Sequence, residues 1–318
     1  MISLSQVRAS TNRIVVLGNH EGIIQSILDF DYLSGQKEGS IVGIVTGRHG
    51  FAKYFFARRE ILIPTWAIIP NLPRIHNTNY WFFNNYSGRR TLSSTLDLLT
   101  SNNSPLKPPF VGGVIFAEGV PELHSLQIIA HNKTLIIGPA SVGLIVPGVL
   151  KLGAIGGITP AQIDEGKLTE PGHVAVISGS GGMTNELIHV AIAAGHRLSF
   201  ALSYGGDRFP ILSPHDAFLL AESDPETRVV LYYGELGGED EYELVQLQAE
   251  GKFTKKVVAH IAGTVASLFP ESPQFGHAKA KADKAKTTAL AKRAALKDAG
   301  FQVSNSFAEF IRLVNKLK

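Results

Sequence analysis

Arg13-Ile-Val-Val-Leu-Gly-Asn-His-Glu-Gly22 decides how the first half of the chain is read. Four consecutive apolar residues, three of them β-branched, make a strand buried on both faces, as strands of parallel sheets are. Glycines then bracket a tight turn, and an apolar-periodic helix follows from about Gly22 to Leu33. Ile41–Val45, Val111–Phe116 and Thr134–Ile137 read as further strands in the same rhythm. The expected fold class is therefore α/β, with a parallel, doubly wound sheet. In a βα turn of this kind, backbone N–H groups and the helix dipole approach a phosphate. The stretch is not a full G-x-G-x-x-G, however, and Glu21 opposes an anion, so a plain strand–helix turn stands as the alternative.

The whole chain agrees with that beginning. Hydrophobic residues make up 44% of its 318 residues, charged residues 18%, and there are 32 glycines, which suits a compact α/β protein with many tight turns rather than a disordered one. A formal charge of +3 is too small on this length to argue for nucleic acid or a membrane surface. The absence of cysteine excludes disulfides, thiolate metal sites and a cysteine nucleophile. No apolar run approaches the roughly 18–20 residues that span a bilayer, and the first residues lack the order of a signal peptide. A cytoplasmic protein without a metal site is expected.

Thr65–Tyr80 and Thr100–Pro109 read as irregular, the second as a surface loop. From Pro139 to Pro171 the sequence thins into glycine and proline, an interdomain passage that divides the chain into residues 1–168 and 169–318. A second α/β set follows: strands Val174–Ile177, Ser199–Leu202, Val229–Tyr233 and Lys256–Ile261, with helices from about Met183, over Pro214–Ala221 and over Glu239–Glu250. A helical block over Lys284–Ala299 precedes a last short strand and helix.

Three stretches of this second half carry chemistry. In Ile177-Ser-Gly-Ser-Gly-Gly-Met-Thr-Asn185 a strand enters a cluster of small residues and then a helix, the layout of an anion cradle in which Ser178, Ser180 and the amides of Gly181 and Gly182 hold a phosphoryl group. A turn that needs small residues only for packing is the alternative, and the spacing does not fit a serine nucleophile. In Gly234-Glu-Leu-Gly-Gly-Glu-Asp-Glu-Tyr242, Glu239 to Glu241 read as first-turn acids favoured by the helix dipole. Glu235 instead lies at the carboxyl end of a strand, where open α/β sheets place their chemistry. Gln274-Phe-Gly-His-Ala278 presents one of 11 histidines. Imidazole is a competent phosphoryl acceptor at neutral pH, and a carboxylate such as Glu235 can orient its other nitrogen. The basic run from Lys279 to Lys297 reads as a solvated helix face, and no nucleic-acid partner is expected.

Taken together these motifs resemble the α subunit of succinyl-CoA synthetase, and closer still the matching portion of ATP-citrate lyase and citryl-CoA synthetase. The likeness runs through Leu28-Asp-Phe-Asp-Tyr32, Glu60-Ile-Leu-Ile-Pro64, Ala117-Glu-Gly-Val-Pro-Glu122 and Ile137-Gly-Pro-Ala-Ser-Val-Gly143. It continues through Ser180-Gly-Gly-Met-Thr-Asn-Glu-Leu187, Gly205-Gly-Asp-Arg-Phe-Pro210, Gly234-Glu-Leu-Gly-Gly238 and the His277 stretch. The resemblance implies a Rossmann-like CoA-binding domain followed by a flavodoxin-like ligase domain. It also implies a subunit of an ADP-forming acid–CoA ligase, in a hetero-oligomer with an ATP-grasp β subunit that binds ATP and Mg. His277 then matches the phosphohistidine, and Glu235, 42 positions earlier, the acid that holds it. CoA would meet Gly18, Asn19, His20, Ser87, Arg89, Ala117 and Glu118. Asn185, where succinate enzymes carry tyrosine and citrate enzymes asparagine, favours citrate over succinate together with Asp29-Phe-Asp31 and Gln274-Phe275, and ligation of succinate or malate stands as the alternative.

The sequence departs from the family pattern at three places. Lys279 replaces the glycine of Gly-His-Ala-Gly-Ala, Gly179 stands where relatives place arginine, and Glu21 sits in the first turn. These leave a different acid, or a CoA-binding scaffold without turnover, as alternatives. The chain also ends at Lys318 without the citryl-CoA-cleaving part of ATP-citrate lyase, which implies a separate lyase or a longer parent protein.

Overall fold

The computed structural model describes residues 1–101, 109–277 and 279–317. Most of the expected loop over residues 100–109, and Ala278, lie outside them. In the first half, strands β1 (Thr11–Leu17), β2 (Ile41–Val45), β3 (Gly50–Phe56), β4 (Arg59–Trp66), β5 (Thr78–Asn84), β6 (Phe110–Ile115) and β7 (Leu135–Ile137) form one sheet. Its order is β3-β4-β2-β1-β5-β6-β7. Every pair is parallel except the β3–β4 hairpin. Helices α1 (Leu4–Ala9), α2 (Glu21–Leu33), α3 (Gly88–Ser101) and α4 (Glu122–His131) belong to this half. The expected Rossmann-like arrangement is present, with β1 central and the strand order reversing between β1 and β5.

The second half forms another seven-stranded sheet, ordered β14-β13-β12-β10-β11-β8-β9. Its strands are β8 (Gly143–Val146), β9 (Leu150–Leu152), β10 (Val174–Ser178), β11 (Leu198–Ser203), β12 (Val229–Glu235), β13 (Lys256–Ala262) and β14 (Gln302–Ser304). Strands β10 to β14 are parallel, in the flavodoxin-like order with β10 between β11 and β12. Helices α5 (Pro160–Glu165), α6 (Gly181–Ala193), α7 (Pro214–Ser223), α8 (Asp240–Ala249), α9 (Ala289–Asp298) and α10 (Phe307–Asn315) complete it. Among the described residues no helix is long and apolar enough to cross a membrane.

Several elements differ from the sequence expectation. The passage over Pro139–Pro171 is not structureless: β8 pairs antiparallel with β11 and with β9, so the change of sheet falls between Ile137 and Gly143, ahead of the 168/169 division. Glycine there serves close approach. Gly143 has φ +111°, and a Cβ on it would lie 1.8 Å from the Leu152 carbonyl oxygen. The β3–β4 hairpin and β5 were not expected as strands. Yet β5 carries the fully buried Trp81, Phe82 and Phe83 at the heart of the first sheet. The expected block over Lys284–Ala299 is a 3₁₀ turn at Ala285–Thr287 followed by α9.

The segment joining the sheets also positions both sites. Ala140 N–H donates to Ala117 C=O (2.8 Å), Gly138 N–H to Tyr204 C=O (3.2 Å), and Gly206 N–H to Ala140 C=O (3.3 Å). Ser141 Oγ donates to Ser203 C=O (2.5 Å). The carboxyl-end loops of the two sheets are thus stitched to one strap.

Candidate active site

At the carboxyl ends of β1, β5 and β6 three loops converge. Gly18, at φ +81°, would set a Cβ 3.2 Å from Tyr86 Cδ1 and 3.3 Å from the Asn85 carbonyl, so the β1 turn packs directly on the loop after β5. Gly88, the first residue of α3, lies equally close to the Glu118–Gly119 backbone. This brings together Gly18, Asn19, His20, Ser87, Arg89, Ala117 and Glu118, all seven positions expected to meet CoA. Individual roles are more local. His20 caps α2, its Nδ1 accepting from Ile23 N–H (3.4 Å), and Asn19 Oδ1 accepts from Tyr54 OH (2.7 Å). Ser87 and Arg89 are exposed at the start of α3. Sequence reasoning missed the neighbouring cavity, where the Arg90 guanidinium stacks 3.9 Å from the Tyr86 ring centroid beside Leu17, Val45 and Ile69.

The second sheet gathers its chemistry in the same way. Ser178 ends β10, Glu235 ends β12, and the loop carrying His277 folds over both. His277 Nδ1 lies 2.8 and 3.0 Å from the two carboxylate oxygens of Glu235. Nδ1 is therefore the protonated, donating nitrogen, and Nε2 keeps the lone pair. The hydrogen bond to Glu235 raises the His277 pKa above its ordinary value, against burial and the charge of Lys279. The ring rests on Gly206, where a Cβ would lie 2.7 Å from Nε2; any side chain at that position displaces it.

The cradle expected at Ser178–Gly182 is a helix N-terminus, but its hydroxyls are committed differently from the expectation. Ser178 Oγ is buried, donates to Tyr233 C=O (3.0 Å) and accepts from Ser180 N–H (3.0 Å). Ser180 Oγ caps α6 by accepting from Met183 N–H (3.4 Å). The groups left for an anion are the first-turn amides of Gly181 and Gly182, and a Cβ on Gly182 would meet nothing within 4 Å. Asn185, one turn further on, accepts from Gly156 N–H (2.8 Å) through Oδ1, which ties the cradle helix to the glycine loop after β9.

Beneath the site lies a buried polar network that the sequence reading took for dipole-favoured acids. Glu239 sits at the N-cap of α8 without a side-chain capping bond and instead accepts from Lys286 Nζ (2.6 Å) at the surface, whereas Asp240 and Glu241 turn inward. Lys279 Nζ lies 2.5 Å from Asp240 Oδ2, which also accepts from Tyr204 OH (2.8 Å). Glu241 pairs with Lys292 at 2.6 Å, both side chains 1% exposed. Lys292 Nζ also donates to the carbonyls of Glu235 (2.7 Å) and Gly237 (2.5 Å). A buried ammonium thus holds the backbone of the residue that holds His277. The lysine pair keeps Asp240 in the ionised range, while burial pushes Glu241 up.

The two sites face each other. Glu118, from the first sheet, raises the pKa of His277. Asp207, between them, is pushed up by burial and by Glu118.

Two sheets of Rossmann-like and flavodoxin-like order, with a glutamate-held histidine where their carboxyl ends meet, define a CoA-ligase type of α/β protein. Residues 177–302 match the family model described as CoA-ligase. ATP-citrate synthase beta chain protein 1 of Arabidopsis thaliana is 41% identical over 289 residues, 89% of this chain and 46% of that protein. The structure of ATP citrate lyase from Methanothrix soehngenii in complex with citrate and coenzyme A superposes with a TM-score of 0.89 at 34% identity, covering 97% of this chain and 50% of that one. At 15% identity, the dinucleotide-forming acetyl-coenzyme A synthetase 1 of Ca. Korarchaeum cryptofilum shares the fold, with a TM-score of 0.67. The chain spans about half the length of the plant and archaeal relatives it matches. The chain therefore carries a CoA-ligase domain and is similar, along nearly its whole length, to about half of ATP-citrate synthase and ATP citrate lyase chains.

Proposed function

We propose that this chain is the CoA-binding, phosphohistidine-bearing part of a cytoplasmic, ATP-dependent acid–CoA ligase that converts citrate, CoA and ATP to citryl-CoA, ADP and phosphate. The observation that carries the proposal is the 2.8 Å hydrogen bond between Glu235 and His277 Nδ1 at the carboxyl ends of β10 and β12. With Nδ1–H fixed on a carboxylate, Nε2 is the nucleophile. It takes the γ-phosphoryl group of ATP, supplied by an ATP-grasp partner, as the bond to ADP breaks. The carboxylate of the acid then attacks phosphorus and releases His277. The CoA thiolate attacks the resulting acyl carbon and phosphate leaves, the thiol proton passing to a base at the site. The amides of Gly181 and Gly182 and the α6 dipole suit a phosphoryl group that must be held and then released. Gly18, Asn19, His20, Ser87, Arg89, Ala117 and Glu118 line the face on which CoA would lie, within electrostatic reach of His277 through Glu118. The acid is proposed as citrate because of Asn185 and because the archaeal relative is described in complex with citrate and coenzyme A.

The test combines the chain with its ATP-binding partner and γ-labelled ATP. Acid-labile, alkali-stable label is expected on the wild type, absent from His277→Asn and discharged by citrate with CoA. Discharge by succinate or malate but not citrate would replace the acid. An unlabelled wild type beside a partner that binds ATP would overturn the catalytic reading in favour of a CoA-binding scaffold.

A further inference from the structure

Between the two crevices one polar atom is left unsatisfied. Asp207 follows Gly206, the residue on which the His277 ring rests and where a Cβ would lie 2.7 Å from Nε2. Its carboxyl group looks across to the first half of the chain, where the backbone N–H of Val120 and the carboxylate of Glu118 face it. Oδ2 of Asp207 is nevertheless buried and has no hydrogen-bond partner among the described residues. A buried carboxylate oxygen without a donor is costly, and such an atom calls for a proton or a ligand to complete it.

Position limits what that ligand can be. Under the function proposed above, the acyl phosphate forms beside His277 Nε2, and the CoA thiol reaches it from the face that carries Ala117 and Glu118. Asp207 stands on that line, one residue from the contact with Nε2 and opposite the Glu118–Val120 loop. We propose that Asp207 is the base of the thioester-forming step, its Oδ2 accepting the proton of the CoA thiol as sulfur attacks the acyl carbon. The S–H bond breaks, an S–C bond forms, and the C–O bond to phosphate breaks with its electron pair going to oxygen. The proton held by Asp207 then passes to the leaving group, which departs as hydrogen phosphate. Burial, Glu118 and Glu122 push the Asp207 pKa above its ordinary value, against the Val120 N–H and His277, which suits a carboxylate that must take a thiol proton. Arg208, next in the chain, is turned to Glu122 at 3.7 Å. The catalytic step rests on the ligase reading, whereas the contact with the thiol rests only on CoA binding at this crevice.

Both parts are tested on the chain assembled with its ATP-binding partner. The contact is read by calorimetry with CoA and with desulfo-CoA, in which hydrogen replaces the thiol. The wild type should favour CoA by about 5-fold, the effect of one bond from a weak donor to a charged acceptor. Asp207→Asn, nearly isosteric and uncharged, should reduce that preference to less than about 2-fold.

The step is read by dividing the reaction. In Asp207→Asn, labelling of His277 and its discharge by citrate should stay within about 2-fold of the wild type. Trapping of the acyl phosphate by hydroxylamine, whose neutral amine attacks before it loses a proton, should be equally unaffected. Thioester formation with CoA should slow by about 10²-fold at neutral pH and recover toward about pH 9, as thiolate forms unaided. A purely structural role would lower hydroxamate and thioester together and would not be relieved by alkali. Equal loss of the two products, or a wild type indifferent to the thiol, or a preference for CoA that survives the substitution, overturns the proposal. Absence of label from every protein, with the preference for CoA behaving as described, would break the phosphohistidine reading and leave the thiol contact standing.

Discussion

The two strand-end crevices are built on the same topological plan and furnished in opposite ways. The crevice of the first sheet is made of backbone: Gly18 against Asn85, and Gly88 against Glu118 and Gly119, with exposed Ser87 and Arg89 at its rim. The crevice of the second sheet stands on fixed charge, with Glu241 and Lys292 buried below, Lys279 and Asp240 partly buried beside them, and Glu235 holding His277 above. Under the proposed function, the contrast teaches what each would need. A surface that receives a long, flexible ligand needs shape and open amides. A centre that makes and breaks bonds needs charges that do not move when the reaction does.

That difference can be broken at several points. His277→Asn should abolish histidine labelling, a loss of at least ~10³-fold of the kind that follows removal of a nucleophile, while CoA binding measured by calorimetry stays within about 2-fold. Comparable loss of CoA binding would mean the crevices are not separable. Lys292→Met leaves Glu241 buried without its partner and frees the Glu235 carbonyl, so urea unfolding should show a loss of about 3–5 kcal/mol. Glu235→Gln should slow labelling by about 10²-fold. In the wild type labelling should rise with pH through a midpoint above the ordinary histidine value, because the raised pKa keeps Nε2 protonated below it; the glutamine variant should lower that midpoint. An unmoved midpoint would take Glu235 out of its orienting role. The smallest effect belongs to the first crevice. Gly18→Ala, forced to φ +81° against the Asn85 carbonyl, should cost about 1 kcal/mol in thermal unfolding and weaken CoA binding without touching label on His277.

The sequence made the strand–turn–helix units plain wherever a β-branched run met glycine, as at Leu17–Gly22 and Ser178–Gly182. It also singled out His277 and Glu235, because loop glycine and strand-end position are local signals. What it concealed was set by distant contact. Thr78–Asn84 is a central strand, but its aromatic run follows a proline-rich stretch and has no alternation to mark it. Gly143 and Gly153 look like linker glycines until their strands are seen to run so close that a Cβ on Gly143 would lie 1.8 Å from the Leu152 carbonyl oxygen. Asp240 and Glu241 sit in a first helical turn, where acids are ordinary, and only Lys279 and Lys292, 39 and 51 residues later in the chain, reveal them as ion pairs, the first partly and the second fully buried. The serines of the cradle show the converse. Their positions were legible, but their hydroxyls close the turn and leave the anion to backbone amides.

The strap over residues 137–143 has a mechanical consequence. Because it is bonded both to Ala117 and to the Tyr204–Gly206 loop, the two halves of the molecule share a brace at the mouth of their common crevice. Arg8 bound to Asp224 and Lys151 bound to Ser26 tie the halves again away from the strap, so the frame is braced at several points and holds Glu118 and His277 at a fixed separation.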